Sequence, residues 1–183
     1  MKAVVVLLVI LVPLVVFVIT QYNSLVRLRN ETKNAWAQVD VVLRRRYDLV
    51  PNLVETVKGY AAHERETLEA VIQARSGAID ASALAAQADS ENMLAGALRR
   101  RFALSEAYPA LKADNNFMEL QKELVQTEGL IGYARGSYNE SVLAFNNKAQ
   151  VFPSNIVAGM FNFVVGDFFE TEDESADPPS VAF

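Results

Sequence analysis

Any imidazole-based acid–base or metal chemistry in this chain has to start at His63, its only histidine. A His-Glu-x-x-His zinc site needs a second imidazole one helical turn on, and Thr67 stands in that place after His63-Glu64. A di-metal carboxylate bundle needs two Glu-x-x-His pairs on facing helices, but the residue three before His63 is Tyr60. Nothing marks a strained nucleophile turn, no Gly-x-Gly-x-x-Gly follows a strand, and no Gly-Lys-Ser/Thr loop could cradle a phosphate. The absence of cysteine excludes disulfides, thiolate ligands, a cysteine nucleophile and a lipidated N-terminal cysteine. These residues point to no catalytic site, no metal and no cofactor. Glu64 falls on an otherwise apolar seam, where it needs an arginine or lysine from a facing helix or serves to fix register.

Two runs of like charge stand out instead, Arg44-Arg45-Arg46 and Arg99-Arg100-Arg101. At helix C-termini such arginines complement the macrodipole. As a cluster they form a basic surface that docks an acidic protein, another copy's acidic tail included. Nucleic acid is excluded as a partner, because the net charge is −5 and its acidic excess lies in Glu170, Glu172, Asp173, Glu174 and Asp177. Without those five the rest carries 17 basic and 17 acidic residues.

The elements that must position these groups begin with an apolar run, Ala3 to Ile19, broken only by Pro13. Extended to Tyr22 it reaches the roughly 20 residues, or about 30 Å, that cross a hydrocarbon core. It exceeds the apolar region of a cleaved signal peptide, and Val18-Ile19-Thr20 makes a poor cleavage site. Residues 1–21 therefore read as a single-pass anchor contacting the bilayer through residues 3–21. Arg27, Arg29 and Lys33 against Lys2 and the α-amino group put the short N-terminus outside and the rest in the cytoplasm.

Beyond the anchor, residues 22–150 repeat apolar positions at steps of three and four, the spacing of packed helices. The first seam is Leu25, Leu28, Thr32, Ala35, Val39 and Val42, flanked by Trp36 and Leu43, with no Gly or Pro between it and the anchor. A break is expected at Tyr47-Asp48, where Asp48 can cap a second helix with Pro51 in its first turn. That helix would carry Val50, Val54, Val57, Ala61, Leu68 and Val71 and stop at Ser76-Gly77. A third, about Ala81 to Ser105, has a weaker stripe through Leu84, Leu94, Leu98 and Phe102, and Tyr108-Pro109 marks a turn. The fourth seam is Phe117, Leu120, Leu124, Thr127, Ile131, Ala134, Tyr138, Ser141 and Phe145. Gly129, Gly132 and Gly136 step through the same helix and are expected to let a neighbour approach closely.

The fold class is thus all-α: an N-terminal transmembrane helix continuing into an up-down antiparallel bundle of four long helices. A short apolar C-terminal helix and a disordered acidic tail, residues 170–183, complete it. Parity puts both arginine triplets at the far tip, roughly 40 Å from the bilayer. It also returns residues 151–169 to the membrane, either as a short helix closing the core or as a strip touching lipid through Ile156, Met160, Phe161, Phe163, Phe168 and Phe169.

Several segments resemble the LemA family of membrane-anchored bacterial proteins. They are Tyr22-Asn23-Ser24-Leu25-Val26, Ala35 to Val41, and above all the stretch from Arg45-Arg46-Tyr47-Asp48-Leu49-Val50-Pro51 through Lys58-Gly59-Tyr60-Ala61. Tyr108 to Ala113, Asn116 to Gln121, Ala134-Arg135, Tyr138-Asn139 and Phe152-Pro153 complete the set. The resemblance implies an N-terminal membrane helix, a helical bundle in the bacterial inner membrane and a short N-terminus outside; it supplies no activity. The expectation is a membrane-tethered scaffold that binds an unidentified protein partner or a second copy of itself. A membrane-shaping oligomer acting through the anchor and residues 151–169 is the alternative, and a metal-dependent bundle enzyme comes last.

Overall fold

The computed structural model describes residues 1–60 and 64–169, without the side chains of residues 3–6, 101, 103 and 104. His63, Ala61 and the acidic stretch from Glu170 lie outside the described residues. The protein is all-α: α1 Lys2–Lys58, α2 Arg65–Asp80, α3 Leu84–Ser105, α4 Pro109–Lys112, α5 Asn115–Gln150 and α6 Ser154–Met160, with no strand among the described residues.

The chain divides into two compact units. The first comprises Met1–Val41 and Gly132–Phe168. Here α1 and α5 run antiparallel, because rising numbers on one meet falling numbers on the other. Leu25 clusters with Phe145, the Thr32 hydroxyl donates to the Ser141 carbonyl at 3.3 Å, and Trp36 meets Tyr138 edge-on at 5.3 Å. Nearest the N-terminus, Leu7 to Val16 are exposed all round.

α6 ends in a closed cap. Asn162 has a φ of 53°, a left-handed conformation that asparagine tolerates better than most residues. Around it the Phe163 amide donates to the Ala158 carbonyl at 3.0 Å and the Asn162 amide to Gly159 at 3.4 Å, the Schellman pair. The residues that follow have no regular structure and run back along α5. Asn146 holds them with both ends of its amide, donating to the Gly166 carbonyl at 2.9 Å and accepting from the Gly166 N–H at 2.8 Å. The helix expected in residues 151–169 is thus Ser154–Met160, and the rest is irregular chain.

The second unit comprises Val42–Ile131, joined by Phe169. In it the end of α1 packs with α2, α3 and the start of α5. The break expected at Tyr47-Asp48 is absent, for α1 runs through Pro51 to Lys58. Proline lacks an N–H, so the Tyr47 carbonyl loses its intrahelical partner. Arg75 on α2 replaces it, its Nε donating to that carbonyl at 2.7 Å. Val50, Val54 and Val57 are therefore buried on α1, while Leu68 and Val71 are buried on α2. Ser76-Gly77 does not stop α2, which continues one turn to Asp80. The fourth seam is buried or half-buried throughout. Gly129, Gly132 and Gly136 lie on the opposite, exposed side, and a Cβ added to any of them would meet nothing within 4 Å. Among the described residues none packs against these positions, which corrects the expectation of close packing there.

Candidate functional site

The arginine triplets do not share a tip. Arg46 is twelve residues short of the end of α1 and fully buried. In helical register it follows Val39 and Leu43 and precedes Val50 and Leu53, all of them core residues, so its side chain faces inward. A guanidinium without water needs anions, and it pairs with Glu91 of α3, itself fully buried, and with Glu128 of α5 at 2.7 Å. The Tyr47 hydroxyl donates to Glu91 as well. The Gln87 amide lies 2.9 Å from Glu91, 3.0 Å from the Tyr47 hydroxyl and 3.0 Å from the Ala78 carbonyl.

Four helices meet at this cluster, to which the motif running from Arg45 to Ala61 contributes Arg46 and Tyr47. Reading charge runs alone missed Glu91, Gln87 and Glu128. The signal was present: Glu91 falls on the α3 stripe three residues after Ala88 and three before Leu94, where a solvated acid does not belong. Arg46 and Glu91 face one another away from solvent, whereas the Glu128 side chain is half-exposed.

The other arginines divide. Arg44, Arg45, Arg99 and Arg100 are exposed, and the Arg101 side chain lies outside the described residues. Arg99 lines a groove of about 430 Å³ between α3 and α5, with Leu98, Phe102, Leu124, Val125, Glu128 and Gly129. Arg100 lines a shallower one of about 300 Å³ between α2 and α3, with Ala74, Gly77, Met93 and Ala97. Consecutive residues on α3 thus edge two separate apolar grooves. The tip holds a different set of polar residues. The Tyr60 hydroxyl donates to Asp114 at 2.9 Å, and Asp114 caps α5 by accepting the Phe117 N–H at 2.8 Å. That amide and Tyr60 hold the Asp114 carboxyl below its ordinary value, while Asp114 raises Tyr60 in turn. Glu64, at the start of α2, finds a hydroxyl instead of the expected cation, accepting from Tyr108 at 3.1 Å. Tyr138 is raised by burial and then by Asp167, whose carbonyl accepts its hydroxyl at 3.1 Å.

Of the lipid-contact candidates, Ile156, Met160, Phe161 and Phe168 are exposed. Phe163 and Phe169 are not. Phe163 is half-buried against Tyr22, Phe145 and Arg29, whose guanidinium lies 5.1 Å from the ring centre, and Phe169 is buried. The Schellman turn at Asn162 rotates Phe163 inward, which strict helical spacing does not foresee. Phe152 and Val164, passed over in the sequence, are among the most exposed apolar residues. Among the described residues no three His, Asp or Glu side chains converge on a metal position.

Protein LemA of Metamycoplasma hominis is 31% identical over 163 residues, covering 85% of this chain and 72% of that one. Magnetosome protein MamQ 2 of Paramagnetospirillum magneticum is 23% identical over 187 residues, covering 88% and 68%. Magnetosome protein MamQ of Magnetospirillum gryphiswaldense is 23% identical over 197 residues, covering 93% and 72%. A model of the LemA family matches residues 35–183, taking in the Arg46 cluster, the tip and α6, and the chain belongs to that family.

Proposed function

We propose that the protein is a membrane-anchored helical scaffold, held by residues 3–21 and binding a protein partner without catalysing a reaction. The observation that carries this reading is α1. One unbroken helix presents an apolar surface exposed all round from Leu7 to Val16 and then, from Leu25 on, a seam buried against other helices. A helix free in water does not expose so long an apolar run, whereas a bilayer solvates it. Flanking charge favours the short N-terminus outside and the bundle in the cytoplasm, and membership of the LemA family favours the bacterial inner membrane.

Arg99 and Arg100, each at the edge of an apolar groove, support protein docking better than Arg44 and Arg45, which line neither groove. An acidic helix whose apolar face enters the α3–α5 groove fits both features, and a second copy of the chain is one source of such a segment.

Photo-crosslinkers placed at Arg99 and Val125 in membranes, followed by mass spectrometry, test this. The expected result is one dominant adduct, weakened when Arg99 and Arg100 become glutamine. Adduct patterns identical in both proteins would remove the docking role of these arginines.

A further inference from the structure

The sequence left two uses for residues 151–169, closing the core or touching lipid, and α6 divides between them. Ser154, Val157 and Ala158 turn inward, the latter two joining Leu25, Phe145 and Ala149 in the core of the first unit. Partly buried against the same cluster are Phe17 and Val18, which belong to the apolar run of α1. Just above them, the Tyr22 ring lies 4.8 Å from Phe161 and 5.7 Å from Phe163. From Phe17 to Tyr22 a helix rises about 8 Å. With Leu25 and Leu28 on the same cluster, α6 therefore stands beside the stretch from Phe17 to Leu28, where the end of that run passes into the bundle.

Its other face is exposed and, Asn155 apart, apolar. Phe152, Ile156 and Met160 recur at steps of four and are 75%, 55% and 66% exposed, with Phe161 at 49% beside them. If residues 3–22 fill the hydrocarbon thickness, this face lies level with the end of the run, beside the headgroups. We propose that Phe152, Ile156, Met160 and Phe161 form an apolar foot that enters the headgroup–acyl boundary of the leaflet next to the bundle. The proposal rests on the reading of residues 3–21 as a span and adds a second, independent lipid contact to it.

The occupant is lipid because the foot is continuous with the apolar surface of α1 at the same height. α6 carries no Lys or Arg, so acyl carbon is what it recognises, not an anionic headgroup. Lys148, in the last turn of α5, adjoins α6 at the same height, while the other nearby cation lies higher. Arg29 is seven residues beyond Tyr22 and covers Phe163, which shields that ring from water while the foot below remains open. A single helix leaves its bundle free to rotate about the anchor, whereas a foot beside it fixes one side of the bundle toward the bilayer.

The chain has no cysteine, so a nitroxide can be attached at one chosen position of the full-length protein. We would label Ile156→Cys and Met160→Cys, with Leu14→Cys in the run and Tyr133→Cys on the exposed flank of α5 for reference. Each would be reconstituted in phosphatidylcholine vesicles containing a minority of phosphatidylglycerol. Accessibility to oxygen and to a water-soluble nickel chelate would be read by paramagnetic resonance. Labels at 156 and 160 should favour oxygen over nickel several-fold more than at 133, and approach the value at 14. A water-like value at 156 and 160 with a lipid-like value at 14 overturns the foot and leaves the span standing. A water-like value at 14 removes the span, and the foot with it. Labels at 156 and 160 that neither reagent reaches, broadened by a neighbouring spin, would place a second copy on this face and also overturn the lipid contact.

Discussion

Arg46 shows why residue type alone misleads. In a run of three arginines it has the look of a surface charge, yet its place in the helical repeat puts it among Leu43, Val50 and Leu53. Removing one partner of a buried pair leaves the other charged without solvent, which costs about 3–5 kcal/mol. Arg46→Met should therefore destabilise the detergent-solubilised protein by that amount, as measured by denaturant unfolding. Combining it with Glu91→Leu should recover most of the loss, since no orphan charge then remains. Arg75 makes a second prediction. Replacing it by Gln strands the Tyr47 carbonyl at a cost of about 1–3 kcal/mol. In a Pro51→Ala background residue 51 has an N–H to offer that carbonyl, so the same change should cost clearly less. Equal costs in both backgrounds would show that Arg75 does not compensate for the proline.

Among elements, α6 and its irregular continuation depend on two asparagines. Asn162 has a positive φ, which a β-branched residue adopts at a penalty of roughly 1–2 kcal/mol. Asn162→Val should lower the melting temperature, and Asn162→Gly should hold or raise it. Their order, read by calorimetry, checks the cap. The junction of α1 and α5 at the tip supplies a pH dependence. Asp114 has its carboxyl depressed below 3.8, so its contribution is present above that unfolded value and fades as pH falls through the folded one. Tyr60 is raised above 10.0, so its contribution is present below that value and is lost on further alkalinisation. Wild-type protein should melt higher than Asp114→Ala at neutral pH, and the gap should close on acidification below about pH 4. A gap independent of pH would assign the effect to something other than the carboxylate.

For the whole molecule, the proposed span carries the prediction. Deleting residues 1–21 should release the protein from the membrane fraction in carbonate extraction while its helical circular dichroism signal persists. If the truncated protein stays fully membrane-bound, the anchor is not what holds it, and residues 151–169 become the place to look. The helical fold and the anchor were legible because each repeats a simple local rule over many residues. One is the length of an unbroken apolar run. The other is the three-and-four stagger of Phe117 through Phe145, which survived three glycines because packing on one side outweighs backbone propensity.

The sequence by itself determined which faces are apolar, that the chain is helical, and where a membrane helix fits, since these follow from spacing along a single helix. Only the tertiary structure decided that α1 passes through Pro51, that Arg46 is an interior ion and not a tip charge, and that the glycines face outward. It likewise decided that α6 lies beside the end of the apolar run. Each of those depends on a partner distant in sequence: Arg75 for the carbonyl freed by Pro51, Glu91 and Glu128 for the guanidinium, and Phe17 and Val18 for the inner side of α6. Local periodicity shows that a side chain is turned inward, but what it meets there depends on contacts far apart along the chain.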